Sequence, residues 1–283
     1  MEDRIDPLIV ERAPWLGQGS STARLMRAGL DRLLGYQTTV SLAHSFTHSP
    51  SAEIMAKMAD RLCKRVNVQG LSHVPAFGPA LIVANHPTGI ADGIVLQSLL
   101  TQVRPDSYFF ANSDILRILP QMEDMIAPVE WRHEKRSHGK TRQTMSYVKT
   151  ATAKGRLGVI FPSGRLAKRR GWRLYERPWM ASAAMLAKKF DLPIIPVNIQ
   201  ARNSLLFYAF DAIHPTLRDI TLFHETLNKD KQPFRVTVGE AISPSALPQD
   251  AKAGIKMLRD ATLALGGRDA PTVNMVRTSR IWA

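Results

Sequence analysis

A histidine and an aspartate lie close together in the segment NHPTGIAD, residues 85–92. His86 follows an apolar run typical of a buried strand, and Asp92 stands at the start of an apolar helical pattern. Pro87 and Gly89 permit a tight turn that can bring the carboxylate back to the ring. A carboxylate bonded to one imidazole nitrogen fixes the tautomer and leaves the other nitrogen free as a general base. The alternative is that Asp92 caps the helix and His86 is an ordinary loop residue.

A second polar turn, PSGR at residues 162–165, follows another apolar run. Ser163, Gly164 and Arg165 are candidate ligands of an anion, because backbone N–H groups and a guanidinium at a strand exit can both point at a phosphate. Cationic and aromatic side chains alternate in the residues that follow: Lys168, Arg169, Arg170, Trp172, Arg173, Tyr175 and Trp179. This pattern is typical of a lipid interface or of single-stranded nucleic-acid binding. The alternative is a solvated, charged loop.

Both turns need strands and helices that hold them in place. Short apolar runs predict strands at 81–84, 107–110, 157–161, 194–199 and 235–238. Helical periodicity predicts helices at 90–101, 140–153, 179–190, 217–228 and 251–265. This alternation predicts an α/β fold around a central sheet, and functional residues in such folds often lie where strands end.

The first 65 residues have a different pattern, which predicts a peripheral helical segment. Apolar residues recur at helical spacing at 22–34 and again at 51–66, with most of the arginines and lysines outside the apolar stripe. Basic amphipathic helices of this kind lie in a membrane interface or pack their apolar face on the protein core. Both interpretations stay open for both helices.

Composition limits the class of protein and the class of partner. The chain has 283 residues, of which 45% are hydrophobic, so it is long and apolar enough for one large α/β domain with an appended segment, or for two small domains. Its 38 Lys and Arg outnumber its 24 Asp and Glu, for a formal net charge of +14. This surplus favours an anionic partner, either nucleic acid or anionic lipid headgroups. A basic soluble protein without such a partner is the alternative.

Cysteine usage and apolar segments predict the compartment. Cys63 is the only cysteine, which excludes an intramolecular disulfide and a cysteine metal cluster and fits a reducing compartment. Acidic residues stand near the start of the chain, where a secretion signal has a basic region. The most apolar stretch, 80–100, contains His86 and Asp92 and is too polar for an ordinary spanning helix. We therefore expect a cytoplasmic protein that meets a membrane only at its surface.

Four segments together resemble the sequence blocks of the glycerolipid acyltransferases, a family that includes the lysophosphatidate acyltransferases. They are NHPTGIAD, APVEWR with Arg132, FPSGR and LPIIPV, and they occur in the family's order. The resemblance covers roughly residues 66–240. It implies a central mixed sheet flanked by helices. With the pattern of the first 65 residues, this divides the chain into an N-terminal helical segment, 1–65, for which membrane association is one of the two interpretations, and an acyltransferase domain, 66–283.

Two departures from the family pattern set this chain apart. Five residues separate His86 from Asp92 where the family has four, and Ser163 replaces the family's usual glutamate. Both features, together with ARNS at 201–204, resemble a bacterial branch related to the ornithine-lipid and hemolysin-like acyltransferases. These departures bear on which acceptor headgroup is bound more than on the type of reaction.

The resemblance implies a reaction and a set of site residues. His86 would take the proton of a lysolipid hydroxyl, which attacks the thioester of coenzyme A or of an acyl-carrier protein, while Asp92 holds the imidazole. The product would belong to phospholipid or ornithine-lipid synthesis. The implied substrate-binding residues are Asn85, Gly89, Arg132, Ser163, Gly164 and Arg165. No cofactor and no metal are expected, and the implied partners are the lysolipid, the thioester donor and the anionic inner face of the membrane.

Other functions have weaker support in the sequence. A serine hydrolase needs a Gly-x-Ser-x-Gly elbow, and the chain has none. Gly17 and Gly19 lack the third glycine and the strand of a dinucleotide site, and His44 and His48 lack the glutamate of a helical zinc motif. Nucleic-acid binding agrees with the charge but not with any recognised motif. A catalytically inactive lipid-binding relative is the remaining alternative.

Overall fold

The computed structural model describes residues 1–17, 19–130 and 137–279. Seven strands form its main sheet, in the order β1-β9-β8-β2-β5-β3-β4. Their bounds are β1 Val66–Gln69, β2 Ala80–Ala84, β3 Tyr108–Asn112, β4 Ile126–Val129, β5 Leu157–Ile160, β8 Ile194–Gln200 and β9 Phe234–Val238. All neighbours pair in parallel except β8 and β9. The sheet is therefore mixed, as predicted.

Strand β2 lies in the middle of this sheet and ends directly before the predicted catalytic segment. All five of its residues are buried, because its side chains alternate between two apolar layers. Ile82 and Ala84 face one layer, and Leu81 and Val83 face the other. A strand buried on both faces is a rigid support for the residues at its carboxyl end.

Helices cover both faces of the sheet. One face carries α4 Ser51–Leu62, α5 Ile90–Leu100 and α10 Pro215–Asn228, and the other carries α7 His138–Ala153, α8 Ser182–Lys189 and α11 Ala251–Ala264. The remaining helices are α1 Glu2–Arg12, α2 Ser21–Leu34, α3 Tyr36–Ser45, α6 Asp114–Ile118, α9 Leu205–Ile213 and α12 Met275–Thr278. The predicted α/β fold with helices at its N-terminus is confirmed.

The two amphipathic N-terminal helices have different environments. In α4, Ile54, Met58 and Leu62 are at most 9% exposed and pack in the core, so the membrane interpretation of this helix is wrong. In α2, Leu25 and Met26 are exposed by 76% and 53%. The apolar stripe of α4 is thus core, whereas that of α2 is divided between the buried Leu34 and the exposed Leu25 and Met26. Because α4 packs on α5, its apolar face is covered by the protein itself and is not available to a membrane.

A smaller sheet of three strands stands beside the main one. It contains β6 Lys168–Arg170, β7 Arg173–Tyr175 and β10 Thr272–Asn274, in the order β10-β7-β6. β6 and β7 form a hairpin whose turn begins at Gly171, with a φ of 58° that favours glycine. The cationic and aromatic segment is therefore an ordered hairpin, which differs from the solvated loop that the sequence also allowed.

The predicted division into residues 1–65 and 66–283 stays a prediction, although α1 and α4 share a core with the sheet. Across the three described stretches of chain, no helix combines the length and the apolar character needed to cross a bilayer.

Candidate active site

His86 and Asp92 are neighbours in space. The Nδ1 atom of His86 lies 2.9 Å from Oδ2 of Asp92, and the two side chains are 19% and 0% exposed. The distance is that of a hydrogen bond, but the ring N–H is not aimed at the oxygen, so Nδ1 lacks a well-aligned partner. The five-residue spacer thus permits the predicted approach. A small rotation of the ring, as substrate binding can cause, would align the bond.

The start of α5 fixes the carboxylate of Asp92. Its Oδ2 accepts the N–H groups of Thr88 at 2.9 Å and Gly89 at 3.0 Å, and its Oδ1 accepts the Thr88 hydroxyl. Asp92 is the third residue of the helix, where an acidic side chain bonds back to the cap and meets the positive end of the helix dipole. Gly89 makes the turn possible with a φ of 93°, a value that other residues rarely adopt. The carboxylate is therefore held without help from His86.

One nitrogen of the His86 ring has no bonded partner among the described residues. Phe161 stacks on the imidazole, with ring centroids 4.2 Å apart and an angle of 26° between the planes. Nδ1 is on the Asp92 side, and no described side chain is bonded to Nε2. With a proton on Nδ1, Nε2 has a free lone pair and can accept a proton from a bound hydroxyl.

The side chain of Asn85 is hydrogen-bonded within the main sheet. Its side chain is 2% exposed and exchanges two hydrogen bonds with the backbone of Ile199, at 2.9 Å to the carbonyl and 2.6 Å from the N–H. The amide thus continues the pairing of β2 with β8 after the last ladder position at Ala84. These contacts give Asn85 a structural role, and its predicted contact with substrate stays a prediction without support from its burial.

The predicted anion-binding turn divides into a buried and an exposed part. Ser163 is 6% exposed and donates its hydroxyl to the Arg165 carbonyl at 2.8 Å. Gly164 and Arg165 are exposed, and among the described residues none pairs with the Arg165 guanidinium. Arg165 is therefore available to a ligand, whereas Ser163 belongs to the frame of the turn. Arg132, the other predicted arginine, lies outside the described residues.

Sequence reasoning did not find Glu176, a carboxylate adjoining His86. Its Oε2 accepts the backbone N–H of His86 at 3.1 Å, and its Oε1 accepts the indole N–H of Trp179 at 2.9 Å. Burial raises the pKa of Glu176, which is 8% exposed. The sequence shows Glu176 only as one acidic residue in a basic segment, so no local pattern could have assigned it.

The ARNS segment forms a second buried polar cluster beside the site. Lys229 is fully buried and donates to Glu225 at 2.7 Å and to the side-chain oxygen of Asn203 at 2.6 Å. Glu225 also accepts the backbone N–H of Ser204 at 2.9 Å. Burial opposes ionisation of Glu225, but the charge and hydrogen bond of Lys229 outweigh it and lower the pKa. The cluster ties the residues after β8 to α10.

We predict that Lys229→Met lowers the free energy of unfolding by about 3–5 kcal/mol, because it leaves the Glu225 carboxylate buried without its cation. Urea unfolding measures the loss. The matched control is Lys256→Met, since Lys256 also pairs with an acid four residues away in the sequence, but is 77% exposed. That exposed pair should contribute less than about 1 kcal/mol. Equal changes in the two variants would contradict the prediction.

Comparison with known proteins identifies the segment that contains this site. The protein-family model described as Acyltransferase matches residues 65–200. This segment belongs to the acyltransferase family. The acyltransferase segment runs from β1 to the end of β8 and contains His86, Asp92 and the turn at 162–165.

Two curated relatives are lyso-glycine lipid O-acyltransferases, from Phocaeicola vulgatus and Bacteroides thetaiotaomicron. They are 23% and 21% identical to this chain over 184 residues, which is 63% of the chain in each case. The matches span 64% and 66% of the relatives' own lengths.

A solved structure resembles the fold of most of the chain. It is the crystal structure of the 1-acyl-sn-glycerophosphate (LPA) acyltransferase PlsC from Thermotoga maritima, with a TM-score of 0.50 and 12% identity over 86% of this chain and 96% of that chain. At this identity the likeness concerns the fold alone. The resemblance to the glycerolipid acyltransferases is thus confirmed at the level of family and fold, while the roles of the site residues stay predictions.

Proposed function

We propose that this protein transfers a fatty acyl group from a thioester to a hydroxyl of a lysolipid, with His86 as the general base. The observation that carries the proposal is the pair of His86 and Asp92, 2.9 Å apart at a strand end, inside a segment of the acyltransferase family. The order of the family's blocks and the names of the two curated relatives agree with it.

The geometry suggests how the chemistry proceeds. Nε2 of His86 takes the proton of the acceptor hydroxyl, and the oxygen attacks the thioester carbonyl. Asp92 stabilises the imidazolium that forms. The tetrahedral intermediate then breaks its C–S bond, the ester is released, and the leaving sulfur takes the proton back from His86. Asp92 is held by α5, so it needs no rearrangement as this charge develops.

We propose a lysolipid with an amino-acid headgroup as the acceptor class. The curated relatives are lyso-glycine lipid O-acyltransferases by name, and the ARNS segment and Ser163 resemble the ornithine-lipid branch. Both headgroups carry a carboxylate, which the exposed guanidinium of Arg165 can bind in a bidentate manner. Coenzyme A and acyl-carrier protein thioesters are both candidate donors.

Two experiments test the activity. The purified protein is incubated with a thioester of coenzyme A or of acyl-carrier protein and with lyso-glycine lipid, lyso-ornithine lipid or lysophosphatidate, and thiol release is followed together with the diacylated product. Lipidomics of a deletion strain should show one diacylated lipid missing and its lyso form accumulating. Vesicle binding without thiol release would identify an inactive lipid-binding relative, and a salt-sensitive shift of DNA without acyl transfer would favour nucleic-acid binding.

We further propose that the protein binds the membrane surface through a face shared by α2 and α9. Leu25 and Met26 of α2 are exposed, and so are Leu205 and Ile213 of α9, by 65% and 70%. The two helices line one apolar groove that contains Met26 and Phe210. We call this face the α2–α9 surface. Large apolar side chains exposed together are typical of a membrane or protein interface.

The basic hairpin contacts α9, since the guanidinium of Arg169 lies over the ring of the buried Tyr208 in that helix. Lys168, Arg170 and Arg173 are exposed and can meet anionic headgroups. Each contributes on the order of 1 kcal/mol at such a surface, so the three give weak anchoring by themselves. The apolar side chains of the α2–α9 surface would supply the rest.

We predict that binding to anionic liposomes weakens with salt but persists, because salt screens the cations of the hairpin and leaves apolar insertion intact. Co-sedimentation across a salt series measures this. Met26→Ser should release the protein at high salt, whereas Met185→Ser is the matched control, because Met185 is 58% exposed on α8, on the opposite face of the sheet. Equal binding to neutral and anionic vesicles would contradict the electrostatic contribution of the hairpin. Full release of the unaltered protein at moderate salt would contradict the apolar contribution of the α2–α9 surface.

A further inference from the structure

Both polar groups of the His86 backbone are bonded to the hairpin segment. The His86 carbonyl accepts the N–H of Ala167 at 2.9 Å, just before β6, and the His86 N–H donates to Glu176 at 3.1 Å, just after β7. The two ends of the hairpin thus hold the backbone of His86 through the two peptide groups that flank its Cα. These backbone bonds fix His86, the proposed general base, without contacting its imidazole ring.

We propose that Glu176 is a positioning residue of the reaction, whose carboxylate fixes the His86 peptide so that the imidazole stays between Phe161 and Asp92. The inference rests on the proposed function of His86. Glu176 is 8% exposed and bonds to the backbone of His86, so we infer that it acts on the reaction through His86.

A carboxylate suits this position because it must accept from two N–H donors at once. Oε1 accepts the indole N–H of Trp179 and Oε2 accepts the backbone N–H of His86. Trp179 is 8% exposed in the apolar layer on one face of the sheet, so Glu176 connects His86 to that rigid layer. Glutamine has the same length but one acceptor oxygen, so its NH₂ group would face one of the two N–H groups.

Loss of the positioning contact should affect turnover rather than binding. The acceptor and donor should still bind, because Glu176 is buried, but the ring would lose its orientation at the moment of proton transfer. A misplacement of this kind typically reduces the rate strongly, since general-base catalysis depends on alignment. A residue that only stabilises the fold would instead lower the amount of active protein and leave its kcat unchanged.

The experiment uses two substitutions singly and together in the full chain. Glu176→Gln should lower kcat by about tenfold to a hundredfold with KM unchanged, the scale of a lost hydrogen bond to a charged group. Trp179→Phe removes the competing N–H, so the single glutamine oxygen of the double variant is free to accept from His86. The double variant should therefore recover to within about twofold of Trp179→Phe alone. A double variant as slow as Glu176→Gln, or a fully active Glu176→Gln, would overturn the proposal.

A second measurement does not depend on activity. Labelling with ¹⁵N-histidine gives one backbone amide signal for each of the eight histidines, and His86→Gln assigns the signal of His86. In the unaltered protein this amide should exchange slowly with solvent, and in Glu176→Ala at least about tenfold faster, with the other histidine amides unchanged. An unchanged rate would show that Glu176 does not hold the peptide. If the amide responds but no variant transfers acyl groups, the proposed function fails and the positioning contact stands.

Discussion

Replacing His86 with alanine should lower the rate of acyl transfer by about two orders of magnitude or more, the usual scale for a lost general base. The ring makes few contacts that the fold requires. Its side chain is 19% exposed and stacks on Phe161. The backbone bonds to Ala167 and Glu176 do not involve the side chain and should persist. The variant should therefore fold normally and bind lipid while it transfers little.

The measurement is thiol release under single turnover, with circular dichroism to verify the fold. His44→Ala is the control, because His44 is an exposed histidine of α3 and should leave the rate unchanged. Near-normal turnover in His86→Ala would remove His86 from the mechanism. Equal losses in both variants would indicate damage to the fold instead.

Asp92→Asn should reduce acyl transfer by a similar factor without unfolding the protein. Asparagine has nearly the same shape, and its one oxygen can still accept an N–H from Thr88 or Gly89 at the start of α5. It has no negative charge to stabilise the imidazolium, and its NH₂ group favours the wrong tautomer of His86 when it faces Nδ1. The loss should therefore appear in kcat.

A matched control separates this effect from helix capping. Asp250 caps α11 by accepting the N–H of Ala253 at 2.7 Å, on the opposite face of the sheet. Asp250→Asn should change stability slightly and leave kcat as it was. If Asp92→Asn also retained its kcat, Asp92 would be a helix cap and nothing more, which is the alternative that the sequence left open.

The main elements of the fold could be predicted from the sequence because their patterns are long or strongly apolar. The five predicted strands correspond to β2, β3, β5, β8 and β9, and the seven predicted helices to α2, α4, α5, α7, α8, α10 and α11. The missed strands have three or four residues, too few to show a period: β1, β4, β6, β7 and β10. Helix α9 was missed because its apolar residues, LLFYAFDAI, show no clear polar face.

The site was predictable where it is local in sequence and not where it is assembled at a distance. His86 and Asp92 are six positions apart, and the turn between them is visible in the residue types. Glu176 reaches His86 across 90 positions, and Asn85 reaches Ile199 across 114. Similarly, α2 and α4 have similar stripes, and only the neighbours packed on α4 decide that its stripe is buried. Such partners follow from tertiary packing, which periodicity does not encode.

The way α5 holds Asp92 also bears on how relatives of this chain can be found. The carboxylate is placed by its rank within the first turn of the helix, through bonds from Thr88 and Gly89, and not by a fixed count from the histidine. An insertion ahead of the cap is absorbed by the loop, while the acid keeps its place. A search string with a fixed four-residue gap passes over such sequences. A rule that asks for a histidine at a strand end and a capping acid in the next helix retrieves both spacings. The length of the gap can therefore differ between relatives while the pair of residues is kept.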